Sequence, residues 1–148
     1  MEIFFDNRET SIDISDILKE RIYNAVKTCL IQEKGNTDYE ISISFVNEEE
    51  IKNLNSIYRK KDSVTDVLSF PTDFEMKIQD VNIPLGDVVI CSKKASEQAL
   101  EYGQSFEKEV VYLTIHSIFH LFGYDHEEDD EKKIMRLKEK EVLKAIEG

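Results

Sequence analysis

The chain has 148 residues, which predicts one domain over residues 1–148 with its own hydrophobic core and leaves too little for a second. Its formal net charge of -12 at pH 7 argues against a general nucleic-acid coat or an anionic membrane surface as its partner, but not against a local basic site. No apolar run is long enough to span a bilayer, and "MEIFFDNRET" lacks the features of a signal peptide, so the expected compartment is the cytoplasm.

The first part of the chain predicts strands that alternate with helices. "EIFFDN" is typical of a short strand, and apolar residues then recur at helical spacing from about Ile14 to Ile31. "YEISISFV" alternates strictly between apolar residues and serines, which predicts a half-buried strand with its serines on the open face. Asn47 is placed to cap a helix that runs to about Tyr58.

Two more strands and three more helices are predicted after these elements. "TDVLSFP" predicts a third strand that ends at Pro71, and the continuous apolar run of "IPLGDVVICS" predicts a fourth, central strand. Helices are expected over about Lys93–Tyr102, Phe106–Phe122 and Glu127–Glu147, and the polar stretch Thr72–Ile83 is expected to be a mobile loop. The predicted fold class is α+β, with a single mixed sheet of about four strands packed against a layer of about five helices.

All three histidines of the chain lie within one segment, "HSIFHLFGYDH". His116 and His120 are four residues apart in the strongest predicted helix, so their side chains share one face, one turn apart. Gly123 is the expected end of that helix, and His126 follows the turn, where it can reach back toward the other two. Three imidazole ligands with a fourth position left to water are typical of a catalytic zinc site. Chance spacing of two histidines is the less favoured interpretation, because all three share this segment.

The residues beside these histidines indicate which class of metalloenzyme is disfavoured. In H-E-x-x-H metalloproteases a glutamate follows the first histidine and acts as general base, whereas this chain has Ser117 there. A peptidase is therefore disfavoured unless a carboxylate from elsewhere replaces that base. Asp125 and Glu128 fit a capping box that begins the last helix, although Asp125 could also hold a histidine in place.

A basic triplet interrupts the acidic composition in "NSIYRKKDSVTDVLSFP". Arg59, Lys60 and Lys61 fall at a predicted helix end, just before a strand. They can be cations that stabilise the carboxyl end of the helix, or they can bind phosphate, for which the planar fork of arginine is well suited. The residues alone favour the two interpretations about equally.

Three segments resemble the YbeY endoribonucleases, a family also called rRNA maturation factors. "HSIFHLFGYDH" resembles their H-G-x-L-H-L-x-G-Y-D-H signature, "NSIYRKKDSVTDVLSFP" their N-x-x-Y-R-x-x-D-x-x-T-D-V-L-S-F-P segment, and "LGDVVIC" their G-D-I-x-I-S strand. The order of the segments is the same. Ser117 stands where the family usually has glycine, Val64 where it often has proline and Cys91 where it often has serine. None of these departures removes a presumed ligand, but Ser117 adds bulk beside His116.

The resemblance implies a zincin-like metal-binding helix and roles for particular residues. It implies one zinc ion, or another divalent ion, per chain. The implied ligands are His116, His120 and His126. Arg59, in the cleft facing the metal, and His116 are the residues expected to act in catalysis, and Lys60 and Lys61 are expected to help bind the substrate.

The function that the resemblance implies is metal-dependent cleavage of single-stranded RNA, in maturation of the 3′ end of small-subunit (16S) rRNA and in ribosome quality control. The implied partners are a small-subunit ribosomal protein and an Era-type GTPase, with no membrane. The favoured nucleophile is a water molecule activated by the metal, and attack by the 2′-hydroxyl of the RNA stays open. Two alternatives are a non-catalytic ribosome assembly factor with a structural metal, and a metallohydrolase that acts on peptides or small molecules.

Overall fold

The structure is a computed structural model that describes residues 1–72, 81–125 and 127–147. These residues form four strands and five helices. The strands are β1 (Glu2–Asn7), β2 (Tyr39–Val46), β3 (Val67–Pro71) and β4 (Ile83–Cys91). The helices are α1 (Asp16–Lys34), α2 (Glu48–Arg59), α3 (Ser92–Tyr102), α4 (Phe106–Leu121) and α5 (Asp129–Glu147). The predicted α+β class is confirmed.

The strands form one mixed sheet in the order β1-β2-β4-β3. β1, β2 and β4 are parallel, and β3 runs antiparallel to β4. β4 lies inside the sheet, between β2 and β3, as its continuous apolar run predicts. β3 forms one edge of the sheet that the described residues build, and this edge adjoins the candidate site.

The main core lies between one face of the sheet and helices α1, α4 and α5. Phe45 of β2 and Phe119 of α4 are its two bulkiest fully buried side chains. Burying a side chain of this size stabilises the fold by about 1.5–3 kcal/mol. Helix α4 is apolar on nearly every side, so it runs through this core, while α1 and α5 pack against it.

The opposite face of the sheet is also covered, which the sequence analysis did not predict. A second apolar cluster joins α2 to this face, and Ser44, expected on an open face, is only 8% exposed. The cluster consists of Val46, Ile51, Leu68, Val89 and Cys91. The prediction of a half-buried β2 beneath a single helical layer is therefore wrong, because the apolar stripe of α2 needs a surface on which to pack.

The end of α4 and the start of α5 frame the predicted metal segment. Gly123 follows α4 with φ 102, as expected for the residue that ends this helix, and its N–H donates to the His120 carbonyl at 3.0 Å. Helix α5 begins at Asp129, two residues later than predicted, so Asp125 does not cap it. The Lys132 N–H donates to the Glu128 carbonyl at 2.9 Å, which gives Glu128 the capping position.

Part of the predicted loop Thr72–Ile83 lies outside the described residues, since 73–80 are not among them. The loop prediction is therefore untested for residues 73–80. At its far end, Ile83 is already the first residue of β4. In the part of the chain that the structure describes, no helix is both long and apolar enough to cross a membrane.

Gly86 allows α4 to pack close to β3 and β4. A Cβ atom at this position would lie 2.5 Å from the Phe70 carbonyl oxygen and 2.8 Å from Cδ2 of Leu121. Leu121 directly follows His120, so the bare backbone of Gly86 determines how closely the end of the histidine-bearing helix approaches the sheet.

Candidate metal centre and the neighbouring arginine

Helix α4 brings His116 and His120 together, as their spacing predicts. Ser105 caps the start of the helix, because its hydroxyl accepts from the Lys108 N–H at 3.1 Å, and the helix continues without a break through both histidines. The two Nε2 atoms lie 3.1 Å apart, and the rings meet nearly at right angles, with centroids 4.6 Å apart. Both side chains are half-buried, so they are held in place yet still reach the surface.

The other ring nitrogen of each histidine has its own partner. His116 Nδ1 lies 2.8 Å from Oε2 of Glu139, a buried residue of α5. His120 Nδ1 lies 2.9 Å from the carbonyl oxygen of Tyr124. A carbonyl or a carboxylate oxygen accepts, so each histidine donates from Nδ1. In the neutral rings the two facing Nε2 atoms therefore carry the lone pairs.

The donor chemistry of this pair fits a metal ion. Two nitrogen lone pairs that face each other at 3.1 Å repel unless a cation or a proton lies between them. Two imidazoles bound to one tetrahedral zinc ion place their nitrogens about 3.3 Å apart, given Zn–N bonds of about 2.0–2.1 Å. A carboxylate or carbonyl behind each ring is the usual companion of a metal-binding histidine, because it fixes the tautomer and raises ligand basicity.

The complete predicted ligand set is not tested, because His126 lies outside the described residues. Among residues 1–72, 81–125 and 127–147 no group of three or more histidine, cysteine or acidic side chains is arranged to hold a metal ion. The structure therefore places two of the three predicted ligands together, and the role of His126 stays a prediction.

The turn that follows α4 is tied to α1 and α5 through Tyr124. The Tyr124 hydroxyl donates to Glu33 at 2.5 Å, and Lys138 Nζ donates to the same carboxylate at 3.1 Å. Lys138 Nζ also lies 5.5 Å from the centroid of the Tyr124 ring. Burial opposes ionisation of Glu33, but these two hydrogen bonds outweigh it and lower the pKa of Glu33. The network thereby holds the carbonyl that accepts from His120.

Arg59 is the last residue of α2 and is held against β3. Its Nη2 donates to the Ser69 carbonyl at 2.5 Å, and its guanidinium carbon lies 5.8 Å from the centroid of the Phe70 ring. Lys60 ends the helix in the left-handed conformation, with φ 57, and both Lys60 and Lys61 are exposed. Of the basic triplet, Arg59 is thus the member with a defined position at the sheet edge.

Two buried serines connect this edge to the histidine-bearing helix α4. The hydroxyls of Ser69 and Ser117 lie 2.5 Å apart, and both residues are buried. The Ser117 side chain therefore points at β3, and the bulk that it adds relative to glycine is absorbed between helix and sheet. The same bond brings the strand segment that holds Arg59 next to the residue that follows His116.

Comparison with known proteins identifies the family. The sequence profile of the family described as Endoribonuclease YbeY matches residues 4–147. The chain belongs to the YbeY family. It is 53% identical over 146 residues to "Endoribonuclease YbeY" of Finegoldia magna, covering 99% of this chain and 94% of that protein. For the protein of the same name from Alkaliphilus oremlandii the identity is 50% over 147 residues, with 99% and 97% covered.

A solved structure supports the YbeY fold. The solution structure of TM1509 from Thermotoga maritima matches with a TM-score of 0.63 and 32% sequence identity, covering 99% of this chain and 89% of that chain. The family resemblance drawn from the three sequence segments is thereby confirmed, and so is the fold class.

The sequence analysis missed the residues that support the histidines. Glu139 lies on the buried stripe of α5 between Met135 and Val142, and an acidic residue at such a position indicates a carboxylate with a buried partner. No local sequence pattern indicates the role of Glu33, because its partner Tyr124 lies 91 residues away in the sequence.

Proposed function

We propose that this chain is a metal-dependent endoribonuclease, one domain over residues 1–148, that cleaves single-stranded RNA. Its substrate in the cell is the 3′ end of small-subunit (16S) rRNA, during maturation and ribosome quality control. Membership of the YbeY family supports the endoribonuclease activity. The observation that carries the proposal for this chain is the pair of facing Nε2 atoms, 3.1 Å apart, on half-buried histidines.

The proposed metal is one Zn²⁺ ion per chain, held by His116 and His120 with His126 as the third ligand. When bound, zinc supplies a Lewis acid that acidifies water and stabilises negative charge on phosphoryl oxygens. Glu139 and the Tyr124 carbonyl keep both Nδ1 atoms protonated, so that Nε2 is the coordinating atom of each ring. His116 is catalytic in this sense, as a ligand next to the scissile bond.

Arg59 is proposed to bind the scissile phosphate. A guanidinium group has five N–H donors, and the bond from Nη2 to the Ser69 carbonyl fixes its orientation at the edge of β3. A fixed cation costs little reorganisation as negative charge grows in the transition state, which is how such groups accelerate phosphodiester cleavage. Lys60 and Lys61 extend the positive charge along the strand of RNA.

The charge distribution supports delivery by partners. A net charge of -12 repels RNA, so we expect non-specific binding and cleavage to be suppressed. We propose that a small-subunit ribosomal protein and an Era-type GTPase bring the enzyme to its substrate in the cytoplasm. Such guidance supplies affinity that the local cations Arg59, Lys60 and Lys61 alone do not.

Cleavage of a single-stranded RNA that ends in the small-subunit rRNA 3′ sequence tests the proposal. Wild-type protein is compared with Arg59→Glu and His116→Ala, each checked for folding and metal content, and with Arg21→Glu, an exposed charge reversal on α1. We expect cleavage by wild type and Arg21→Glu, and a loss of about a hundredfold or more in the other two.

Equal trace cleavage in all four preparations would show contamination and would overturn the nuclease proposal. The chain would then be a non-catalytic assembly factor with a structural metal. The product ends identify the nucleophile, since a 2′,3′-cyclic phosphate requires attack by the 2′-hydroxyl of the RNA rather than by water.

A further inference from the structure

We propose that Tyr58 and Phe70 form a stacking platform for one unpaired base of the substrate strand. The platform lies beside Arg59, on the face of β3 that is turned away from the histidine-bearing helix. This inference rests on the proposed function, because it names how the same site grips RNA near the scissile phosphate.

Tyr58 presents an aromatic ring that is exposed yet supported. The residue is 63% exposed, and its ring meets the Phe70 ring edge to face, with centroids 5.3 Å apart and an interplanar angle of 69°. Phe70 in turn packs against the second apolar cluster of the fold. A ring that is fixed at one edge and open elsewhere loses little conformational freedom when a base stacks on it.

The same phenylalanine also supports the cation. The Arg59 guanidinium carbon lies 5.8 Å from the Phe70 ring centroid, so Phe70 contacts Tyr58 and Arg59 together. Isolated exposed aromatic residues are common and need no function. An aromatic ring next to a fixed cation is the combination that single-strand binding proteins use, since the cation holds the phosphate and the ring stacks the base.

The platform lies within a few nucleotides of the metal-binding helix. The hydroxyls of Ser69 and Ser117 are hydrogen-bonded at 2.5 Å. Ser69 directly precedes Phe70 of the platform, and Ser117 directly follows the proposed ligand His116. These links place the Cα atoms of Phe70 and His116 no more than about 15 Å apart. Because Ser69 points toward α4, Phe70 points to the opposite face, and the strand of RNA crosses the outer edge of β3.

The surrounding charges favour one path for the phosphates. Lys60 and Lys61 are exposed directly after Arg59, whereas the exposed Asp87 lies opposite Phe70 across β3 and β4. A phosphate near Asp87 would be repelled, so the backbone of the strand runs on the side of Arg59 and Lys60. Stacking on Tyr58 is tolerant of base identity, because every base has a π face.

The absence of tryptophan from the sequence permits a direct test by fluorescence. Tyr58→Trp is compared with Tyr102→Trp, because Tyr102 is 64% exposed and is the last residue of α3, while Tyr58 lies one residue before the end of α2. Both are mixed with single-stranded oligoadenylate and with an abasic strand of equal length, and the emission is recorded before cleavage accumulates. We expect oligoadenylate to quench Tyr58→Trp strongly, and the abasic strand to quench neither variant. Equal quenching of both variants by oligoadenylate, or equal quenching by the two strands, overturns the platform.

Affinity measurements on two further variants test whether the aromatic ring of Tyr58 is what binds the base. Tyr58→Phe is expected to bind oligoadenylate like wild type, because stacking needs the ring and not the hydroxyl. Tyr58→Leu, which keeps an apolar contact with Phe70, is expected to bind about tenfold more weakly. Wild-type affinity in Tyr58→Leu contradicts the inference.

The two proposals fail in different ways. If wild type cleaves RNA and Arg59→Glu does not, while Tyr58→Leu binds normally, the platform is wrong and the nuclease stands. If Tyr58→Trp is quenched as expected and wild type never cleaves, base stacking stands and the catalytic proposal fails.

Discussion

In the described part of the chain, Glu139 holds the imidazole ring of His116 in place. Its carboxylate is buried and accepts from Nδ1 of His116 at 2.8 Å. A buried carboxylate is costly unless it has a partner, so this contact gives the carboxylate its partner and fixes the ring at the same time.

Replacing Glu139 is expected to weaken metal binding. Glu139→Ala removes the acceptor behind His116 and should lower zinc affinity about 10–100-fold, while Glu139→Gln keeps an acceptor and should lose less. Glu141→Gln is the matched control, because Glu141 is exposed on the same helix. Zinc affinity is measured by competition with a chromogenic chelator, and wild-type affinity in Glu139→Ala would refute the positioning role.

The Ser69–Ser117 pair offers a second prediction for single residues. Ser69→Ala or Ser117→Ala alone leaves a buried hydroxyl without its partner and should cost about 1–3 kcal/mol in the free energy of unfolding. The double variant should cost less than the sum of the two single variants, because no hydroxyl is then left unsatisfied. Urea unfolding measures all four proteins, and strict additivity would show that the two hydroxyls are not coupled.

Sequence patterns at this scale predicted the paired histidines, the proposed ligands, but not the residues that support them. His116 and His120 were predicted because the helical repeat alone places residues four apart side by side. Glu139 and Ser69 were not, because their contacts depend on how α5 and β3 pack against α4, which no local repeat encodes. The bond between Ser117 and Ser69 shows the same limit, since the sequence indicated only that Ser117 adds bulk.

At the scale of elements, α1, α5 and the turn after α4 are joined through Glu33. Tyr124 and Lys138 both donate to its carboxylate, and they lie 91 and 105 residues away in sequence. The network therefore resists separation of these elements and keeps the Tyr124 carbonyl in place for His120.

The stability that Glu33 contributes should depend on pH. Hydrogen bonds from Tyr124 and Lys138 outweigh the cost of burial and lower the pKa of Glu33 from its ordinary value of 4.5 in the folded state. The stabilisation is therefore present above about pH 4.5 and is lost as the pH falls through the folded-state pKa. The free energy of unfolding of Glu33→Gln should be about 1 kcal/mol lower than that of wild type at neutral pH, and this difference should shrink in acid.

Urea unfolding across the acid range measures this effect, with Glu20→Gln, an exposed change on α1, as the control. A difference between Glu33→Gln and wild type that stays constant down to the lowest pH would contradict the role of the ionised carboxylate.

The elements themselves were largely predictable. The β1 and β2 segments coincide with the predicted strings, because alternation and turn residues mark them locally. The packing of α2 on the second sheet face was missed, since alternation in β2 describes one strand and not its neighbours. The start of α5 was placed too early, because the predicted N-cap, Asp125, lies four residues before the first residue of the helix, Asp129.

At the scale of the whole molecule, a chain with a formal net charge of -12 carries a basic triplet at the end of one helix. Arg59, Lys60 and Lys61 lie at the end of α2, beside the edge strand β3. The hydrogen bond between Ser69 and Ser117 joins that strand to the helix that carries the paired histidines. The fold thus brings together two segments that are far apart in sequence. We propose that this arrangement serves phosphodiester cleavage at the edge of β3, while the negative net charge weakens RNA binding elsewhere.

The most direct test of this account is zinc titration of the metal-free protein, followed by cleavage of single-stranded RNA. We predict that cleavage is absent without metal, rises with added Zn²⁺ and saturates at one ion per chain, and that His120→Ala does not recover. Cleavage that is independent of added divalent ions would contradict the account, as would a wild-type protein that binds zinc stoichiometrically and leaves the RNA intact.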